Sequence, residues 1–437
     1  MFGYYLNLAL RSLRRNPVLT GLMIAAIGFG IGTSMTSLSV SQAMAGDPLP
    51  EKSHQLFMVQ IDSWGPDKRG ERNEDGLDEN MSYIDAVGIS NLRAAGHQTR
   101  VYTTIFNART ADPKIKPVGL VTPAVDADFF SMFQAPFRFG GPWGRAEDAD
   151  GAPVVVISRK INDQLFAGVN SIGRTITLGD ASYRVVGVLD NWRLVPRFYN
   201  LRIRPYGQID EIFIPFARAI KAQAQAASGT SCQDTTTASF EVRLRSECLW
   251  IQLWVELPTA NDVARYGITL NNYALDQQRT GRFHWPPHTQ LRDVMQWLEY
   301  RHIVPNELGL LVLASCGFLF VCLMNAMGLM LARIIGRTQD LGVRRALGAS
   351  RRAIVFQCLV ETTVIGVLGA ILGLLLTLLG VFAMRVALSE DFAGLTYLNA
   401  KAIAVDVALA ILATMGAGLY PIWRAARVQP ALQLKSE

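Results

Sequence analysis

The chain has 437 residues, of which 50% are hydrophobic and 18% charged, and its formal net charge is +6. An average soluble domain is about 25% charged, so the composition excludes an ordinary soluble protein, and the length allows two or three domains. So much apolar sequence makes anionic lipid headgroups a better partner for the basic balance than nucleic acid.

Residues 1–16 repeat apolar side chains at Phe2, Tyr5, Leu6, Ala9, Leu10 and Leu13, with Asn7, Arg11 and Arg14 opposite. That spacing predicts an amphipathic helix lying on the inner membrane face. The other reading is the cytoplasmic start of the first span, although Pro17 favours a break between the two. Residues 17–46 are uncharged and long enough to cross a bilayer as a helix. A basic start and Ala43, Met44, Ala45 also fit a secretory signal cleaved before Gly46, but the apolar run exceeds the usual ~7–15 residues.

Residues 47–304 read as one large α+β domain. Strands are expected at 54–61, 99–106 and 249–257, and helices at 82–96, 259–281 and 290–304. Ser82 caps the first of these helices and Gly96 stops it. Residues 151–168 read as strand, capping Ser158 and short helix; 175–189 read as a hairpin turning at Gly179-Asp180. Between Arg218 and Trp250 the composition becomes rich in Ala, Gln, Ser and Thr, which suggests an inserted loop. Cys232 and Cys248 lie there, where an extracytoplasmic disulfide is permitted; two free thiols are the alternative.

Three more spans follow, at 305–335, 353–386 and 402–423. Basic residues set the orientation. Arg11, Arg14 and Arg15 precede span one, and Arg333, Arg337, Arg344, Arg345, Arg351 and Arg352 surround the 336–352 link. Arg424, Arg427 and Lys435 lie in the 424–437 tail. Both termini and the link are therefore expected in the cytoplasm, and 47–304 outside it. Glu361 is an intramembrane carboxylate, which costs roughly 2.5–3.5 kcal/mol if central and marks a functional position by default. It lies about two turns from the link, so an interhelical hydrogen bond or headgroup contact competes with a transport role.

Chemistry-bearing patterns are missing. No GxxxxGK[ST] phosphate loop occurs. "GFGIG" (28–32) lies inside span one, where its glycines, like Gly369 and Gly373, allow close helix packing. His284 and His288 are separated by two prolines and cannot share a helical face, so no metal is expected there. The acidic stretch 71–80 does not match a calcium loop. No catalytic residue is expected, and the chain reads as a non-enzyme.

"RTQDLGVRRALGASRRAIVFQCLVETTVIGVLGAILGLLLTLLG" (337–380) resembles the permease module shared by FtsX, the lipoprotein-release permeases and MacB. "YPIWRAARVQPALQL" (420–434) resembles that module's end. "VTPAVDADFFSMFQAPFRFGGPW" (121–143) and "VVVISRKINDQLFAGVNSIGRTITLGDASYRVVGVL" (154–189) are similar to the MacB-type periplasmic core. The resemblance implies four transmembrane helices with the outer domain between the first two. Within that domain it implies a porter part, at 47–115 and 241–300, split around a sabre part at 116–240.

It also implies a coupling helix on the link, with Gly342 and Gly348 bounding it. Val343, Ala346 and Leu347 would dock in a groove on an ABC ATPase subunit, and Arg344 and Arg345 would pair with acids or lipid phosphates. This chain would carry no cofactor; ATP and magnesium would sit on that separate subunit. The resemblance implies a second permease, identical or a paralogue, and allows a periplasmic adaptor and an outer-membrane duct. Membrane lipids are expected partners and nucleic acid is not. The expected function is transmission of ATP-driven motion across a bacterial inner membrane for export of periplasmic substrates such as drugs or peptides. The alternatives are lipoprotein release, FtsX-like control of cell-wall hydrolases, and an ATPase-independent membrane receptor.

Overall fold

A computed structural model describes residues 2–64, 75–109, 118–192, 194–203, 205–207, 210–227, 229–232, 239–304, 307–337, 343, 348 and 350–387, with scattered positions between 404 and 418. The chain divides into two compact units, Asp47–Ile303 and Met1–Gly46 with Val304–Glu437. Its described helices are α1 Phe2–Arg15, α2 Pro17–Ala45, α3 Tyr83–Asn91, α4 Phe129–Met132, α5 Arg145–Ala149 and α6 Arg159–Phe166. Next come α7 Phe216–Lys221, α8 Phe240–Leu244, α9 Ala260–Arg279, α10 Val294–Tyr300, α11 Glu307–Ile335 and α12 Arg351–Ala387.

The strands are β1 Leu56–Ile61, β2 His97–Arg109, β3 Val118–Val125, β4 Phe137–Gly140, β5 Val154–Ile157, β6 Thr175–Leu178, β7 Ala181–Leu189, β8 Ile212–Pro215, β9 Gln252–Glu256 and β10 Thr289–Asp293. They form one sheet in the order β10-β1-β9-β2-β3-β8-β5-β7-β4, with β6 on β2 and β7. Most neighbours are antiparallel; β3 with β8 and β5 with β7 are parallel.

Both faces of this sheet are covered, because its strands alternate between two cores. Phe57, Val59 and Ile61 of β1 pack with Ile89 of α3 and Leu270 of α9, while Leu56 and Met58 pack with Phe129 and Phe133. Trp254 and Trp297 join the second core. Burial on both sides explains why β5 and β8 are continuous apolar runs rather than alternating ones, and why β1 is apolar but for the buried Gln60. Arg197 is itself buried, and its Nη1 donates to Asp210 Oδ1 at 2.6 Å while Tyr199 OH donates to Asp210 Oδ2 at 2.9 Å. Removing one partner of such a buried pair costs about 3–5 kcal/mol, so this network ties Arg197 and Tyr199 to Asp210 beside the second core.

Two sequence expectations need correction. Residues 290–304 are not one helix: Thr289–Asp293 pairs with β1, Phe57 opposite Asp293 through Ile61 opposite Thr289. Asp293 then caps α10 by accepting from Gln296 N at 2.8 Å, and Gln296 Oε1 accepts from Asp293 N at 3.1 Å. That capping box is a helix start signal lying inside the supposed helix. Gly96 does not stop α3, which ends at Asn91; Arg93 turns the chain with φ +50°. The Ser82, Ser158 and Gly179-Asp180 features are present as caps and turn.

The strands drawn from 47–115 and 241–300 lie together as β10-β1-β9-β2, and those from 116–240 continue the same sheet across the β2–β3 ladder. An antiparallel bridge joins Ser231 to Leu249, with mutual hydrogen bonds of 3.0 and 2.8 Å. It sets the neighbouring Cys232 and Cys248 at a Cα separation of 4.4 Å, and they form a disulfide. Beside it Arg282 Nε donates to Glu247 Oε1 at 2.9 Å, and Arg282 also pairs with the fully buried Asp85 of α3. Burial pushes the Glu247 carboxyl up, and hydrogen bonds from Arg282 partly offset that.

Among the described residues, α2, α11 and α12 are long and apolar enough to cross a membrane. The expected fourth span, 402–423, lies outside the described residues apart from scattered positions, and the 424–437 tail lies outside them entirely. Closing a loop of about 15 residues stabilises a fold by ~3 kcal/mol. The denatured, unreduced protein should therefore titrate three thiols, Cys316, Cys322 and Cys358, and all five after reduction. Five thiols before reduction would contradict the bridge.

Candidate functional site

Among the described residues three helices, α2, α11 and α12, could cross the membrane, and glycines decide how closely two of them approach. Ile27 and Ile31 of α2 are almost wholly buried against α12. A Cβ on Gly369 would lie 2.5 Å from Ile27 Cγ2, and one on Gly373 would lie 2.6 Å from Ile31 Cγ2. The reverse also holds: Gly28 faces Leu372 at 2.8 Å and Gly32 faces Leu376 at 3.0 Å. Each helix thus places branched side chains over the other's glycines. In lipid, where apolar surface gives helices no reason to leave the tails, such close packing is a main source of association. On α11, Ser315 O accepts from Ser34 Oγ of α2 at 3.0 Å, and Gly30 faces Cys322.

At one end of this bundle α1 folds back. Asn16, with φ −132° and ψ 75°, breaks α1 from α2, and Pro17 begins the second helix. Ala9 and Leu13 are buried. Arg333 Nη2 donates to Ser12 O at 2.6 Å, and Arg337 Nη2 donates to the same carbonyl at 2.9 Å. Arg337 also bonds Ser12 Oγ, and its Nη1 lies 3.6 Å from Glu361 Oε2. Gln357 Nε2 donates to Glu361 Oε1 at 3.4 Å. Glu361 is therefore an ion-paired brace between α12 and the end of α11. This answers the cost of a carboxylate in a span without a solute path.

The brace flanks the basic link. Gly336 and Arg337 extend α11 by one turn, their amides bonding Ala332 O and Ile334 O at 3.0 Å. Ser350 Oγ accepts from Ala353 N at 3.2 Å and opens α12. Of the expected coupling residues, Val343 is helical and exposed. Gly348 has φ +98°, a left-handed conformation that a side chain would strain. Gly342, Arg344, Arg345, Ala346 and Leu347 lie outside the described residues. Sequence reading missed Ser12 and Arg333 as partners. The one available signal was Arg333 as the first charge after an uncharged run. Among the described residues no group of His, Cys, Asp or Glu could hold a metal ion.

A family model described as the MacB-like periplasmic core domain matches residues 20–265, more than half of the chain. A second, the FtsX-like permease C-terminal model, matches residues 312–430. The chain belongs to the MacB-like, FtsX-domain ABC permeases.

As a member of that family it combines membrane helices near its N-terminus and in its C-terminal region with a large α+β periplasmic domain between them. The macrolide export ATP-binding/permease protein MacB of Pasteurella multocida is 23% identical over 342 residues, covering 75% of this chain and 46% of that protein. The pyoverdine export ATP-binding/permease protein PvdT of Pseudomonas entomophila is 26% identical over 323 residues, covering 71% and 42%. The chain spans about half the length of the curated relatives it matches, at 46% and 42% for these two. The solved periplasmic region of MacB from Actinobacillus actinomycetemcomitans is similar at 13% identity over 56% of this chain and 92% of that one, with a TM-score of 0.35.

Two predictions follow from the packing and the brace of this permease. Replacing Gly373 with Leu should lower stability by about 1–3 kcal/mol through overpacking, read as a lower thermal midpoint in detergent. Replacing Gly317, whose Cβ would meet nothing within 4 Å, should be tolerated. Equal effects at the two positions would contradict the interlock. Arg337→Ala should raise hydrogen exchange across Phe2–Arg15, and unchanged protection there would show that the guanidinium does not hold α1.

Proposed function

We propose that this permease passes ATP-driven motion of a partner ATPase across the inner membrane to its periplasmic segment, and that this motion exports substrates already outside the cytoplasm. The supporting observation is the brace at Ser12, Arg333, Arg337 and Glu361. It ties α1, α11 and α12 together on either side of the link, so a push on the link reaches three helices at once. The interlock of α2 with α12 then carries the push along the bilayer.

The arginines around the link and at the N-terminus favour a cytoplasmic position for both. In that orientation Gly342, Val343, Arg344, Arg345, Ala346, Leu347 and Gly348 form the ATPase-docking element. ATP and magnesium are held by the partner, in keeping with the missing phosphate loop in these residues. A second permease, identical or related, completes the assembly. An adaptor and an outer-membrane duct extend the route outward. Relatives named for macrolide and pyoverdine export support an export role.

The one carboxylate of α12 is paired with Arg337, which supports a bracing role for it rather than a place on a solute path. Leu347→Asp or Ala346→Asp in the reconstituted complex should leave ATP hydrolysis by the partner in place while export falls to background. Full export by these variants would refute the coupling role of the link.

A further inference from the structure

Between α1 and the facing ends of α11 and α12 lies a cavity of about 210 Å³. Its charged lining is unbalanced among the described residues: Arg11, Arg333 and Arg337 face one carboxylate, Glu361. Glu361 already leans on Arg337. Arg333 is only 6% exposed, yet among the described residues its Nε and Nη1 have no hydrogen-bond acceptor, and its Nη2 is used on Ser12. A buried guanidinium with unmet donors calls for an anion, and planar N–H donors match phosphate oxygens. Leu8, Met330 and Ile365 make the rest of the lining apolar, which suits a ligand with a hydrocarbon part better than a free ion. Basic pockets between membrane helices are a recognised setting for phospholipid headgroups.

We propose that this cavity holds the phosphate of an anionic phospholipid. Arg333 and Arg337 donate to the phosphate, and Arg11 adds positive field at the mouth. The lipid supplies the acceptors that Arg333 lacks, and so fastens α1 to the bundle beside the link. The inference shares the membrane placement of α11 and α12 with the reading above. It does not depend on an ATPase, so the two can fail separately.

The test compares the full chain in nanodiscs of phosphatidylcholine with nanodiscs in which part of that lipid is phosphatidylglycerol. The readouts are thermal midpoint and lipid retained in native mass spectrometry. Phosphatidylglycerol should raise the wild-type midpoint and remain bound. Arg333→Gln and Arg337→Gln should lose the rise, whereas Arg14→Gln, an exposed arginine outside the cavity lining, should keep it. Glu361→Gln removes the competing carboxylate and should enlarge the rise. That opposite sign keeps the test decisive if an arginine variant fails to fold. Equal midpoints in the two wild-type nanodiscs would overturn the proposal, as would a rise retained by Arg333→Gln or lost equally by Arg14→Gln. Inorganic phosphate added to phosphatidylcholine nanodiscs should do nothing; a matching rise would assign the cavity to a free anion instead.

Discussion

Everything in the membrane unit depends on how closely α2 and α12 can approach. Two helices in hydrocarbon gain nothing by hiding apolar surface from lipid tails, so contact has to come from fit. Gly28, Gly32, Gly369 and Gly373 provide that fit by admitting Leu372, Leu376, Ile27 and Ile31. Thr377 Oγ1, which reaches Gly32 O at 3.4 Å, is possible only at this separation. With α2 and α12 locked, the arginines at the end of α11 have a fixed surface to work against. Ser12 and Glu361 then become anchoring points rather than loose polar groups in a greasy bundle.

The periplasmic segment solves a different problem with a different device. It has water on its outside and can rely on burial, so it builds one large sheet sandwiched between two cores. Several of its inward charges are paired: Arg197 with Asp210, Arg282 with Asp85 and Glu247, Arg100 with Asp126. Near the last pair, burial and the neighbouring Asp126 charge raise Asp148 to about 6, although Ala127 N and Trp143 Nε1 both donate to it. The strands from both ends of this segment sit side by side, so the N-terminal and C-terminal entries into the domain share one part of the sheet.

Much of this could be read from residues alone. The three described spans are legible because charge all but vanishes for long runs, and the close helix packing because glycines recur at helical spacing within them. Caps such as Ser82 and Ser158 are local signals and appear where local reasoning placed them. Failures came where the deciding partner is distant. Residues 289–293 look helical on their own, and only β1, more than two hundred residues earlier in the chain, makes them a strand. β8 is too short to announce itself, and it exists because β3 and β5 lie on either side. The cluster of Ser12, Arg333 and Glu361 joins three separate segments, none of which carries a motif for the others. Glu361 itself was legible as unusual, but its partner was not.

The membrane unit is braced at one end and interlocked along its length, and the periplasmic unit is built on one sheet between two cores. The account stands or falls on whether nucleotide use reaches the outer domain. Spin labels at Ile268, an exposed residue of α9, can be placed on both permeases of the proposed complex with an ATPase. Trapping the partner with ATP should shift the distance distribution between the two labels relative to the nucleotide-free complex. Superimposable distributions in the two states, with the ATPase bound and active, would contradict it.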